Sequence, residues 1–263
     1  MHRIEQDIPY QSINQIFFEP DLRYQLTSNI RYDRYRISET PQQFVNLLGP
    51  DVRFVTHPGV TYNIAKKFIE AQNKSSNPLT HDEKFALLTA SIVHDWGELK
   101  LGELGHGDKT FEVHDDVDVN NERIVFERIT DRVIDLSDKD FIRDVYNNIA
   151  QDKDSRLGKM FNAIERIGYL QTALNSFRGE KGKRIKNWVG LTGNVLSNQI
   201  ILLLEYAEEY PYVRTVLKEN KSVISDLFNI IPKKRNLIAR DGVISYKRSK
   251  FRENKRAWKL STI

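Results

Sequence analysis

The strongest constraint on this chain is that its apolar residues fall at helical spacing in one segment after another. In 60–72 (VTYNIAKKFIEAQ) they stand at 60, 64, 65, 68 and 69, one stripe of a helix. Comparable patterns predict helices over 82–95, 119–135, 138–150, 156–176, 190–209 and 211–229. Few stretches alternate as strands do, so the expected class is all-α, a helical bundle. With 263 residues, 40% of them apolar, the chain can bury a sizeable core. The densest apolar run, Ile200 to Leu204, is far too short to span a bilayer, so no membrane partner is expected. The first residues, MHRIEQDIPYQ, carry no apolar export core, which predicts a cytoplasmic protein.

Punctuation divides the chain into four zones. Residues 1–50 read as an N-terminal segment packing on the core, with an aromatic and basic patch from Tyr24 to Arg36. Residues 51–176 form the core, bracketed at its start by Gly49-Pro50 and His57-Pro58-Gly59. Residues 177–232 supply further helices that complete the bundle, after a basic connector over 177–188. Residues 233–263 form a basic extension beyond Pro232, with a short hairpin expected over 236–246 around Asp241-Gly242. Residues 96–118 contain four glycines and little periodicity, so they read as a long loop of the kind that often carries function.

Candidate chemistry collects where that loop begins. There is no cysteine, so any metal must be held by His, Asp and Glu. His94 and Asp95 end an apolar helix, and both side chains can reach one ion only if the backbone leaves the helix there, a break that Gly97 supplies. His57 precedes the previous helix, so two antiparallel helices would bring it to the same corner. A second pair, His81-Asp82, follows Thr80 at a helix start, where Asp82 serves the helix dipole instead.

The spacing His57…His94-Asp95-x-x-Glu98-x-x-x-Gly102-Glu103 resembles the HD superfamily of metal-dependent phosphohydrolases, most closely its 5′-deoxynucleotidase-like branch, over roughly residues 50–175. The resemblance implies an HD-type helical domain with His57, His94 and Asp95 as ligands of a divalent metal. It implies Glu165 as a fourth ligand, in AIERIGYL, where the family carries Asp; Asp152 and Asp154 are alternatives. It further implies Glu98 as acid–base residue, and Glu103, where the branch has Asp, on the substrate sugar or the nucleophile. Arg53 and Lys100 are then the phosphate-binding cations. A mixed N/O donor set suits Mn²⁺, Co²⁺, Fe²⁺, Zn²⁺ or Mg²⁺ rather than Ca²⁺. The implied activity is phosphomonoester hydrolysis of nucleotides or deoxynucleotides. The same metal chemistry also serves a nuclease or a cyclic-nucleotide phosphodiesterase. His106, Asp108, His114 and Asp115, in the long loop, are candidates for a second metal or for phosphate contact.

Charge adds a separate feature. The formal net charge is +4, but residues 233–259 hold eleven Lys or Arg against two acids, a surplus of nine, so the remainder is mildly acidic. Tyr246, Phe251 and Trp258 are interleaved with those cations. Two readings stand open. One is a nucleic-acid surface combining backbone contacts with base stacking, on a module of weak catalytic power. The other is a solvated extension or a contact between copies in a homo-oligomer.

Overall fold

A computed structural model of the chain describes residues 13–99, 116–179, 183–234 and 246–263, with backbone alone for 116–119. The described residues are helical almost throughout. They contain no strand, only an isolated antiparallel bridge between Ile30 and Arg53. The helices are α1 (Pro20–Ser28), α2 (Pro41–Leu48), α3 (His57–Gln72), α4 (His81–Val93), α5 (Asp116–Val133), α6 (Leu136–Val145), α7 (Arg156–Arg178), α8 (Trp188–Glu209), α9 (Pro211–Glu219), α10 (Lys221–Ile230) and α11 (Arg248–Leu260). None is long and apolar enough to cross a membrane.

Local chemistry explains where several of these helices begin. Thr40 and Thr80 each accept a hydrogen bond from the backbone N–H three residues on, and Gln43 and Glu83 reach back to the threonine N–H. These reciprocal bonds satisfy amide donors that a helix start leaves open. The Thr80 bonds measure 3.2 and 2.8 Å. His81 and Asp82 are thereby fixed in the first turn of α4, in the capping context that the sequence indicated. Pro occupies the first turn of α1, α2, α3 and α9, where its missing N–H costs nothing.

The helices bury two apolar clusters. The larger joins α3 to α11 through residues such as Phe68, Leu87, Phe126, Ile164, Leu203 and Phe228. A smaller one, Tyr35, Phe44, Val45, Leu48, Val52, Ile185 and Leu191, fastens the N-terminal segment to the start of α8. The packing of α3 on α4, α7 on both, and α8 on α7 makes one continuous core.

Four expectations from the sequence are corrected. Helix α3 begins at His57 rather than at 60, because His57 N donates to Arg53 O at 2.8 Å and opens the helix early. The predicted helix over 138–150 is α6 followed by a wider π-helical turn, Tyr146–Gln151, which lays the Tyr146 ring flat on Phe126 at 3.6 Å. Both ends of the stretch 96–118 expected as a loop are helical instead: a 3₁₀ turn runs from His94 to Glu98, and α5 starts at Asp116. The basic C-terminal segment is not an appendage, because α11 lies along α8 with Phe251, Asn254 and Trp258 buried. The hairpin expected over 236–246 falls, apart from Tyr246, outside the described residues.

Asn254 explains how a helix so rich in charge docks. Its Nδ2 donates to Ser197 O at 2.7 Å and its Oδ1 accepts from Ile201 N at 2.9 Å, so one side-chain amide spans a single turn of α8. Phe251 packs on Phe228 and Tyr246, with ring centroids 5.2 and 5.3 Å apart. Trp258 Nε1 donates to Ser225 Oγ at 3.0 Å. Full burial of such an aromatic contributes about 1.5–3 kcal/mol.

Candidate metal centre

The centre forms where the start of α3 meets the end of α4. The two helices pack against each other in opposite directions, so His57, first in α3, faces His94, which follows the last residue of α4. At His94 the α-helix tightens into the 3₁₀ turn, and this change of winding brings Asp95 round beside His94. Gly97 matters here through space rather than backbone freedom. A Cβ at that position would overlap the Tyr146 hydroxyl and approach Glu122 O to 2.7 Å.

His57 Nε2 and His94 Nε2 stand 2.9 Å apart. The Asp95 carboxylate completes the group, with Oδ2 3.3 Å from His57 Nε2 and Oδ1 3.2 Å from His94 Nε2. All three residues are buried. Neighbouring ligands on one ion with bonds of roughly 2.1 Å lie about 3.0–3.4 Å apart, in octahedral or tetrahedral geometry. The two His–Asp edges, one to each carboxylate oxygen, fall in that range and the His–His edge lies just below it, so the donor set fits a divalent cation. One further observation agrees. Burial, followed by the nearby Arg31 charge, pushes the His57 imidazole down to about 4, so it is neutral near pH 7 as a metal ligand must be.

Asp51 decides which nitrogen of His57 is free. Its Oδ1 lies 2.7 Å from His57 Nδ1. Burial raises the Asp51 carboxyl, but the His57 hydrogen bond and the Arg31 charge outweigh it and hold the group below its ordinary value. An ionised carboxylate at that distance requires the proton on Nδ1, which leaves the Nε2 lone pair facing His94 and Asp95. Arg31 Nη1 also touches His57 Nδ1, a contact that would call for the opposite tautomer. The carboxylate prevails, since the same Arg31 Nη1 can turn its N–H groups towards Asp51 Oδ1, 3.7 Å away. Thr172 on α7 donates to Asp51 Oδ2 and fixes the carboxylate from its far side.

Arg31 is the cation of the centre. Its guanidinium, largely buried, lies over the Tyr32 and Tyr169 rings, 5.5 and 5.8 Å from their centroids, and its Nε is 4.0 Å from Asp95 Oδ2. The chain reaches this position because Arg31 N donates to Val52 O at 2.8 Å and Phe54 N to Asn29 O, pairing 29–31 with 52–54. Tyr32 then takes a left-handed conformation (φ 63°), the one non-glycine among the described residues to do so. Neither Arg31 nor Asp51 stood out in the sequence. Their signals were the Tyr24–Arg36 patch and the Gly49-Pro50 turn, and neither says what the fold would lay beside His57.

The remaining sequence candidates divide. Glu165, on α7, lies next to the group but outside its tight triangle, with Oε1 4.0 Å from His94 Nε2. Its charge is the largest of the influences, burial next, that hold the Tyr169 phenol well above its ordinary value. Asp152 and Asp154 do not join the site. Asp152 Oδ1 accepts from the backbone N–H groups of Asp154 and Ser155 ahead of α7, and Asp154 is exposed. Arg53 donates to Gln42 Oε1 at 2.6 Å, and the cation beside His57 is Arg31. Glu98 ends the 3₁₀ turn, partly buried, three residues beyond Asp95. Lys100, Glu103, His106, Asp108, His114 and Asp115 lie outside the described residues.

Compared with known proteins, the chain matches no family model, no curated protein and no solved structure.

Proposed function

We propose that this chain is a metal-dependent phosphohydrolase of the HD type that acts on nucleotides, with monoester hydrolysis of nucleotides or deoxynucleotides as its reaction. One observation carries the reading: two imidazoles and a carboxylate converge near ligand spacing in a buried corner, beside the Arg31 guanidinium and the two aromatic rings that flank it. His57, His94 and Asp95 would hold a divalent cation, with Glu165 closing the site from α7. When bound, that cation supplies Lewis acidity towards a phosphoryl oxygen and acidifies water.

The protein's own groups account for the rest. Asp51 keeps His57 in the ligating tautomer. Burial works against the Arg31 charge, but Asp95 and Asp51 outweigh it, so the guanidinium offers a preorganised positive group for phosphate charge that builds up during transfer. Glu98 is the acid–base group, taking a proton from the attacking water or returning one to the leaving oxygen. Arg31 rather than Arg53 is the phosphate-facing cation in this account, because Arg53 is engaged with Gln42.

The test is phosphate release from a panel of nucleoside and deoxynucleoside monophosphates by protein loaded with Mn²⁺, Co²⁺ or Zn²⁺. The reading expects release on at least one substrate and its abolition by chelation. It also expects the Glu98→Gln variant to keep its metal while turnover falls about 10²-fold or more. Cleavage of diesters alone would replace it with a nuclease or phosphodiesterase. No phosphate release with any metal would end it.

A further inference from the structure

The strongest charge feature outside the metal centre is the outer face of α11. Phe251, Asn254 and Trp258 mark its buried side. Around a helix of 3.6 residues per turn, Arg248, Arg252, Lys255, Arg256 and Lys259 fall into one stripe on another side, and its single acid, Glu253, lies outside that stripe. Arg248, Arg252, Arg256 and Lys259 are exposed, and no hydrogen bond or ion pair engages them among the described residues. Lys255 borders the buried side and donates to Phe228 O and Asn229 Oδ1. Burial, then the charges of Lys259 and Lys233, press its ammonium below the ordinary value, which brings Lys233, in the short turn that follows α10, into the same positive field. Like charges one turn apart, as at Arg248, Arg252 and Arg256, work against a helix. Here the docked face and the Asn254 clasp hold the helix in spite of them.

We propose that this stripe is a docking surface for the phosphate backbone of a nucleic-acid duplex. Three observations select that partner. The stripe is a straight row about 16 Å long, fixed on the core, and a duplex strand presents a phosphate every 3.4 Å or so along its axis. Single-strand binders need aromatic platforms for the bases. Tyr246, Phe251 and Trp258, the aromatics of this segment, are all in the core, which removes the base-stacking reading of the tail. A membrane-surface helix inserts an apolar face, and the apolar face of α11 is already spent on α8. The surface therefore holds a duplex without reading its sequence. This inference does not depend on the metal centre.

The test is fluorescence anisotropy of the full chain with a labelled DNA duplex of mixed sequence. Four phosphate contacts predict an affinity that falls roughly 10²-fold between about 50 and 200 mM salt. Replacing Arg248, Arg252 and Arg256 together by Glu should weaken binding at least tenfold. The Gln version of the same triple, which keeps good helix formers, should flatten the salt dependence by about three contacts while leaving the circular dichroism unchanged. The His94→Ala variant should bind the duplex as the native chain does. The proposal is overturned if the duplex is not bound at low salt or if the folded Gln variant binds undiminished. Tighter binding of single strands than of the duplex, or binding of phosphatidylserine vesicles but not of the duplex, would overturn it equally.

Discussion

The His57-His94-Asp95 corner and α11 both place charged groups against the core, and they do so in opposite ways. At the corner the polar groups are inside, and they hold one another: Thr172 bonds Asp51, Asp51 bonds His57, and Arg31 lies over two tyrosines. On α11 the aromatics are inside and the cations stand out in water. A buried polar group is costly unless its partners are in place, so the corner specifies a geometry, whereas the exposed stripe specifies only a field. Substitutions at the corner should therefore change binding and pH response with little effect on the fold. Removal of α11 should do the reverse.

The largest effect expected is on stability. Ending the chain at Pro232 uncovers the face of α8 that meets Phe251 and Trp258, and leaves Ser197 O and Ile201 N without the Asn254 amide. Loss of two buried aromatics and a clasp should cost more than about 5 kcal/mol, a fall in melting temperature of at least about 10 °C by circular dichroism. Melting unchanged within about 2 °C would return the segment to the status of an appendage.

The next effect separates the corner from the rest of the molecule by pH. His57 is held neutral in the fold down to about 4, against 6.5 when exposed. The unfolded chain therefore takes up a proton that the folded chain refuses. Stability is full above pH 6.5 and falls as the pH drops towards 4. Asp51 is shifted below 3.8, so its own contribution fades only at lower pH, outside that window. Urea unfolding of metal-stripped protein should lose about 2–3 kcal/mol between pH 7 and 4.5, and the His57→Gln variant should lose much less. An identical decline in that variant would mean that His57 is not buried as a neutral base.

A smaller effect tests the tautomer. Asp51→Asn keeps the shape but no longer demands a proton on His57 Nδ1. Its metal affinity should fall by about 10- to 100-fold with the helical content intact, measured by competition with a chromophoric chelator. Unchanged affinity would show that His57 is oriented without Asp51.

The same contrast explains what could be read in advance. The helices and the His94-Asp95 corner follow from short-range rules, apolar spacing and a threonine cap at Thr80, and Gly97 marks the same corner, although what requires it there is tertiary contact with Tyr146 and Glu122. His57 could be joined to them because two adjacent antiparallel helices return the chain to its starting level. Arg31 and Asp51 could not, since the pairing of 29–31 with 52–54 that delivers them is a tertiary event with no pattern of its own. Arg53 was nearer to His57 in sequence and lost to Arg31 in space. Helix α11 was missed because an asparagine stands between its two apolar anchors, so its buried side shows no apolar run. Its aromatics looked available for bases only while that packing was unseen.

If His57, His94 and Asp95 together hold one ion, metal stoichiometry will show it. Purified chain, loaded with Mn²⁺, Co²⁺ or Zn²⁺ and freed of excess, should carry about one ion per chain by elemental analysis, through a site with three protein ligands or more. His57→Ala and His94→Ala should each bring that to background while circular dichroism reports an unchanged helical fold. A native chain that retains none of these ions, or variants that retain as much as the native chain, would contradict the account.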